Sequence, residues 1–156
     1  MIITFAGHSS VSSPQKVKKI VKEQIQSSIV GAELVTCYIG GYGDFDDICA
    51  CACRELKQKY GNIEIIYVTP YMNSSQMAKI KDMQRFGLCD GSTYPPIEKV
   101  PLRFAIAKRN EWMIKESDLV IAYVNREYGG AYKSFRVAKR KGKKIINICD
   151  LLSKDV

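Results

Sequence analysis

The amino-acid sequence predicts an α/β fold, a three-layer sandwich in which a mostly parallel sheet of about five strands carries helices on both faces. Five apolar, β-prone runs alternate with segments whose apolar residues recur at helical spacing. That alternation is typical of parallel strands joined by right-handed helical crossovers. The 156 residues and the 46% hydrophobic content suit one core, so a single domain over residues 1–156 is expected.

The five strands are predicted from apolar composition and from the turn residues that follow each run. The run at 2–5 is short and precedes Gly7, whereas the run at 63–68 is almost continuously apolar, as expected for a strand covered on both faces. By residue number, the predicted strands are 2–5, 33–39, 63–68, 119–124 and 144–149.

Helices are predicted between these strands from start signals and apolar spacing. Ser12 and Pro14 suit the first turn of a helix that begins near residue 12. Asp44 is a good N-cap for the second helix, which the pair Gly61 and Asn62 ends after residue 60. The later helices are predicted at 75–83, 102–116 and 131–141.

Residues 85–101 are predicted to form mostly loop, because they contain glycines and prolines at short intervals. A loop of this length is unusual inside a compact domain. Such loops often serve as lids or ligand loops.

The net charge of +8 comes from 24 lysines and arginines against 16 aspartates and glutamates, and it attracts phosphates. A solvated basic helix surface accounts for the same charge. The chain has no zinc-finger spacing and no RNP-type aromatic strand, so single-stranded nucleic acid is an alternative partner rather than the main one.

A cytoplasmic protein without membrane, metal or cofactor is expected. The apolar run at 119–124 is far shorter than the ~20 residues that span a bilayer. The six cysteines are expected to be reduced thiols, since the chain is long enough to build a core without disulfides. The C-A-C-A-C run at 49–53 has no zinc-site spacing.

Three predicted strand ends carry glycine-rich or polar segments, at 7–10, 40–44 and 125–132. In open parallel sheets, ligands bind beyond the carboxyl ends of the strands, where the strand order reverses. Glycines there let the backbone approach a ligand. One crevice is therefore expected to collect all three segments.

The charges around the two glycine pairs suggest different roles for them. Gly129-Gly130 precedes Lys133 and Arg136, so it is the better phosphate cradle. Gly40-Gly41-Tyr42-Gly43 precedes acidic residues, which repel an anion and suit a sugar or base. An alternative for those carboxylates is simple helix capping.

Several motifs resemble the SLOG superfamily, and its small YpsA-like members in particular. The matching segments are T-F-A-G-H at 4–8, I-G-G-Y-G-D-F-D at 39–46, V-T-P-Y at 68–71, Y-P-P at 94–96, R-F-A-I-A-K-R-N-E-W-M at 103–113, S-D at 117–118 and G-G-A-Y-K at 129–133. The resemblance implies a Rossmann-like domain related to the LOG phosphoribohydrolases and to the DprA/Smf domain. These relatives bind nucleotides, nucleotide-derived signals or nucleic acid.

The sequence departs from the LOG pattern at the position of its catalytic glutamate. Arg109 is similar to the LOG arginine, but aligning Gly129-Gly130 with the LOG glycine pair places Arg136 where the glutamate belongs. An arginine cannot stabilise an oxocarbenium-like transition state or activate water. Asp44 and Glu111 are the candidate substitutes, and Asp46 lies on the same turn as Asp44.

The main hypothesis is therefore binding of a nucleotide or nucleotide-derived small molecule, as a sensor or sequestering module. The alternatives are a phosphoribohydrolase or ribosyltransferase and a single-strand nucleic-acid binder. The oligomeric state is open: the LOG resemblance implies a homodimer, for which the apolar helix around Trp112 is a candidate seam. The predicted ligand-binding residues are Gly7, His8, Gly40, Gly41, Gly43, Asp44, Arg109, Asn110, Gly129, Gly130, Tyr132 and Lys133.

Overall fold

The computed structural model of the chain describes residues 1–155, apart from the side chain of Asp155. The strands are β1 (Ile2–Gly7), β2 (Val35–Ile39), β3 (Ile63–Val68), β4 (Gly91–Thr93), β5 (Leu119–Tyr123) and β6 (Lys144–Asn147). The α-helices are α1 (Pro14–Ile29), α2 (Asp44–Lys59), α3 (Ser74–Arg85), α4 (Ala105–Glu116), α5 (Gly130–Arg140) and α6 (Ile148–Leu152). Short 3₁₀ turns at Leu102–Phe104 and Ser153–Asp155 adjoin α4 and α6.

All six strands are parallel, in the order β4-β3-β2-β1-β5-β6. The predicted fold class, a Rossmann-like sandwich of sheet and helices, is confirmed. The chain builds the sheet outward from β1 to β4 and then returns to place β5 on the free side of β1. The strand order therefore reverses between β1 and β5, where ligands of such sheets bind.

The two faces of the sheet bury unequal cores. Side chains at odd positions, such as Ile3 and Phe5 of β1, form the larger core with α1, α2 and α6. On the other face α4 and α5 cover a smaller core around Ala6 and Val120. Strand residues alternate between the faces, so Thr4 and Ala6 lie on the α4/α5 side.

Strand β4 lies inside the segment predicted to be loop, so that prediction is wrong for residues 91–93. The strand has only three residues and begins with glycine, which weakens any strand signal. Tertiary contacts hold it at the edge of the sheet. Asp90 donates its amide to the Ile65 carbonyl at 2.8 Å, and the Asp90 carboxylate accepts the Ile65 amide at 2.8 Å.

Strand β6 corresponds to the last predicted strand, 144–149, but it ends two residues earlier, because the Asn147 side chain caps the short helix α6. Its Oδ1 accepts the amide of Cys149 at 3.2 Å. The same amide group bonds both the N–H and the carbonyl of Val124, at 3.2 and 2.9 Å. This contact fixes the loop that follows β5.

Within residues 1–155, none of the helices combines the length and the apolar character needed to cross a membrane.

Candidate functional site

A cleft of about 230 Å³ opens at the strand-order reversal between β1 and β5. Its floor is residues 4–9, and its walls come from α4 and the first turns of α5. Tyr42, Asp46 and Arg126 reach it from the loops and from α2. The cleft is therefore built from chain segments on both sides of the reversal.

The amino end of α5 gives the cleft one positive wall. Gly129 precedes the helix with φ +91°, a conformation that favours glycine, and accepts the Lys133 amide at 3.1 Å. Gly130 and Ala131 of the first turn line the cleft, where amides not used within the helix carry partial positive charge. Arg126, exposed in the preceding loop, adds a cation. This wall suits an anion.

Two buried polar atoms on the cleft floor have no partner among the described residues. They are Oγ1 of Thr4, a residue with 0% exposure, and Nδ1 of His8, a residue with 3% exposure. Buried polar groups are normally hydrogen-bonded, so an unmatched pair in one cleft indicates a ligand or water position. Neither strand periodicity nor a turn signal distinguishes Thr4 in the sequence.

The hydrogen bonds of His8 assign its tautomer. Nε2 accepts the amide of Asn125 at 3.1 Å, so the proton of the neutral ring is on Nδ1. Burial lowers the pKa of His8, and the nearby Arg126 lowers it further. A neutral His8 therefore presents an N–H donor.

The glycines of 40–43 make close contacts with protein groups and do not line the cleft. A Cβ on Gly41 would lie 2.7 Å from the Tyr67 ring, and a Cβ on Gly43 would lie 2.7 Å from Cα of Ser9. Both have positive φ, +74° and +89°. This turn therefore packs β2 and α2 against their neighbours, and Tyr42 is its one residue that lines the cleft.

Arg109 is almost fully buried, with 1% exposure, and its guanidinium joins the ends of two strands. Nη1 donates to the carbonyl of Gly40 at 2.9 Å and to that of Val68 at 2.8 Å. Nε donates to Oδ1 of Asn110 at 2.8 Å. Burial lowers the pKa of Arg109, whereas Asp46 raises it. Most donors of Arg109 are thus committed to the protein itself.

Among the described residues that line the cleft, Asp46 is the only acidic one. Its Oδ2 accepts the Tyr42 amide at 2.9 Å, as a carboxylate in the first turn of a helix can. Burial raises the pKa of this half-buried carboxyl to about 6, although the Tyr42 amide and Arg109 oppose the shift. Asp46 can therefore exchange a proton near neutral pH.

The structure brings only part of the predicted ligand-binding set into the cleft. Gly7, His8, Arg109, Asn110 and Gly130 line it. Outside the lining are Gly40, Gly41, Gly43, Asp44, Gly129, Tyr132 and Lys133. Thr4, Ser9, Arg126 and Ser134 also line it, although they are not in the predicted set, as does Asp46, which the sequence singled out only as an acid on the turn of Asp44.

The two candidate catalytic carboxylates have partners elsewhere. Asp44 accepts the Val11 amide at 3.2 Å and donates its own amide to Ser9 at 2.9 Å, which ties α2 to the loop after β1. Glu111 pairs with Lys108 at 3.3 Å on α4. Arg136, which the resemblance to LOG proteins aligned with their catalytic glutamate, is exposed, and its guanidinium lies 6.0 Å from the Tyr132 ring centroid.

The segment 85–101, predicted as a lid or ligand loop, does not line the cleft. Pro96, Ile97 and Val100 instead line a separate hollow beside Trp112. Trp112 itself stacks on Tyr38, with ring centroids 5.5 Å apart. The homodimer seam around Trp112 remains a prediction.

No family model and no curated protein matches this sequence. Among solved structures, the chain is similar to the DNA processing protein A from Helicobacter pylori, a protein described for its unique single-stranded DNA binding mode. The TM-score is 0.59 at 16% identity, over 99% of this chain and 72% of that one. The likeness shows a shared fold, that of DNA processing protein A.

Proposed function

We propose that the protein binds a phosphate-bearing, nucleotide-derived small molecule in the cleft between β1 and β5. The observation that carries the proposal is the pair of buried, unpartnered atoms on the cleft floor, Thr4 Oγ1 and His8 Nδ1. They lie in the same cleft as the amino end of α5. A ligand that joins an anion to hydroxyl groups satisfies both features.

The phosphate is assigned to the α5 end of the cleft. Amides of Gly130 and Ala131 and the cation of Arg126 attract an anion there. Asp46 lies elsewhere in the lining, where its carboxylate is suited to accept from a sugar hydroxyl. In this proposal Arg126 takes the phosphate-binding role that was predicted for Lys133. Asp46 takes the sugar-binding role that was predicted for the Gly40–Gly43 turn.

The test is binding of nucleoside monophosphates and sugar phosphates, measured by calorimetry and thermal shift. We expect Arg126→Gln to weaken binding about tenfold, because it removes one charge-assisted contact. Arg85→Gln is the matched control: Arg85 also stacks on an exposed ring, that of Phe86, but it does not line the cleft. Equal effects of the two variants, or no binding by the whole panel, would exclude the proposal.

Single-stranded nucleic acid is the second candidate, and three exposed rings near the cleft favour it. Exposed arginines lie over Tyr128 at 4.8 Å (Arg126) and over Phe104 at 4.8 Å (Arg103), whereas the third ring, Tyr42, has the buried Arg109 at 5.4 Å. Exposed aromatic rings beside cations are the parts that single-strand binders use to stack bases and neutralise phosphates. The structural neighbour binds single-stranded DNA.

Anisotropy of a labelled oligothymidine at several salt concentrations tests the second candidate. Binding should weaken steeply with salt, because each neutralised phosphate releases counterions. Tyr128→Ala should weaken it further, by about 1–3 kcal/mol for one lost stack. Phe86→Ala is the control, an exposed ring against Arg85 outside the cleft. Absence of binding at low salt would eliminate this candidate.

Turnover is a separate question that Asp46 raises, since it places a carboxyl in a cleft from which Asp44 and Glu111 are absent. In hydrolysis of a nucleotide, water would add to the anomeric carbon while the C–N bond breaks. The base would leave with the proton of the Asp46 carboxyl, and the resulting carboxylate would take up the proton that the water loses. Chromatography for free base decides the point. Release that Asp46→Asn abolishes would establish an enzyme, and absence of release would leave binding alone.

A further inference from the structure

A second hollow of about 310 Å³ lies between α4 and α5, next to the cleft. Ile106 and Ala107 of α4 form one side and Val137 of α5 forms the other, so the walls are mainly apolar. Ala107 is exposed along it, and Val137 is buried. We refer to this hollow as the α4/α5 groove.

The α4/α5 groove is continuous with the cleft. Ile106, Asn110, Gly130 and Ser134 line both. At this junction a Cβ built on Gly130 would meet nothing within 4 Å, so the space beside the amino end of α5 is open. A single ligand can therefore extend from the cleft into the groove.

The two spaces differ in chemistry. The cleft contains the amino end of α5, Arg126 and the unpartnered atoms of Thr4 and His8, all suited to a charged and hydroxylated group. The groove offers a mainly apolar surface instead, although Arg103, Glu111 and Lys133 also line it. Asn110 is oriented by the bond from Arg109 Nε to its Oδ1, which leaves Nδ2 as the donor that the side chain presents.

We infer that the α4/α5 groove binds the base of a nucleoside 5′-monophosphate whose phosphate and sugar occupy the cleft. The inference rests on the proposed function and adds a base subsite to it. A planar, largely apolar ring buries its faces between Ile106 and Val137. Asn110 and Ser134, at the junction, are placed to contact polar atoms on its edge.

The experiment compares ribose 5-phosphate with the four nucleoside 5′-monophosphates by calorimetry on the full chain. At least one nucleotide should bind about tenfold more tightly than ribose 5-phosphate, because only the nucleotide buries a ring. Ala107→Phe fills the groove from an exposed position. It should bring the nucleotide to the affinity of ribose 5-phosphate and leave ribose 5-phosphate unchanged, with Ala107→Leu giving a smaller loss.

Ala78→Phe is the matched control, an exposed alanine on α3 that lines neither the cleft nor the groove. It should leave both affinities at their wild-type values. Equal binding of ribose 5-phosphate and all nucleotides, or full nucleotide affinity in Ala107→Phe, would overturn the base subsite while the phosphate site stands. Failure of every phosphorylated compound to bind wild-type protein would overturn both.

Discussion

The guanidinium of Arg109 is bonded to the backbone of Gly40, with Nη1 2.9 Å from the glycine carbonyl. The same nitrogen reaches the carbonyl of Val68 at 2.8 Å, so one side chain from α4 joins the ends of β2 and β3. A Cβ on Gly40 would lie 3.2 Å from the guanidinium, and the glycine permits this approach. Arg109, which the sequence predicted to contact a ligand, thus has a structural role.

Replacing Arg109 by methionine should destabilise the fold by about 3–5 kcal/mol, because two carbonyls at a buried site lose their donor. Urea unfolding measures the change. Arg103→Met is the control, since Arg103 is exposed on the 3₁₀ turn before α4. A loss below about 1 kcal/mol for Arg109→Met would show that other donors satisfy Gly40 and Val68.

Thr4→Val should stabilise the unliganded protein by about 1 kcal/mol, because it removes a buried hydroxyl without a partner among the described residues. The same change should weaken ligand binding. Thr69→Val is the matched control: Thr69 is equally buried, at 1% exposure, but its Oγ1 donates to the Tyr71 carbonyl at 2.8 Å. It should lose about 1–3 kcal/mol in chemical unfolding. Destabilisation by Thr4→Val would point to a hidden partner for the hydroxyl.

Asp46→Asn should make stability less dependent on pH. The pKa of Asp46 is about 6 in the folded protein against 3.8 ordinarily, so the folded state binds more protons between these values. The free energy of unfolding therefore falls as pH rises from about 4 to about 6, by roughly 2–3 kcal/mol. Asparagine carries no charge and keeps an acceptor for the Tyr42 amide.

Urea unfolding at pH 4 and pH 7 tests this expectation. The Asp46→Asn protein should exceed wild type by about 2–3 kcal/mol at pH 7 and match it near pH 4. Asp82→Asn is the control, because it makes the same substitution at an exposed position of α3. An equal difference at both pH values would contradict the proton linkage.

Gly43→Ala and Gly130→Ala should differ in their effect on stability, because protein groups enclose only Gly43. Gly43 has φ +89° and Cα of Ser9 2.7 Å from its Cβ position, so alanine there should cost at least about 2 kcal/mol. Gly130 has open space and begins α5, so alanine should be neutral or gain up to about 1 kcal/mol. Thermal unfolding reports both changes. A stable Gly43→Ala protein would refute the packing role of the 40–43 turn.

Local signals predicted most of the fold and part of the cleft lining. The apolar runs located five of the six strands, since apolar composition is a property of neighbouring residues. Gly7, His8 and Gly130 line the cleft, and local signals selected them because they follow predicted strands or begin a helix. Thr4 and Ser134 carry no such signal: each occupies an ordinary position inside a strand or helix, and only burial beside an open cleft distinguishes them.

By itself, the sequence determined the alternation of strands and helices and the chemical character of the strand ends. The tertiary structure decided which of those ends face the cleft. The 40–43 turn packs against Arg109, Tyr67 and Ser9, whereas the start of α5 stays open. That difference depends on strand order and on contacts between residues tens of positions apart, and such contacts arise from collective packing that no local pattern encodes.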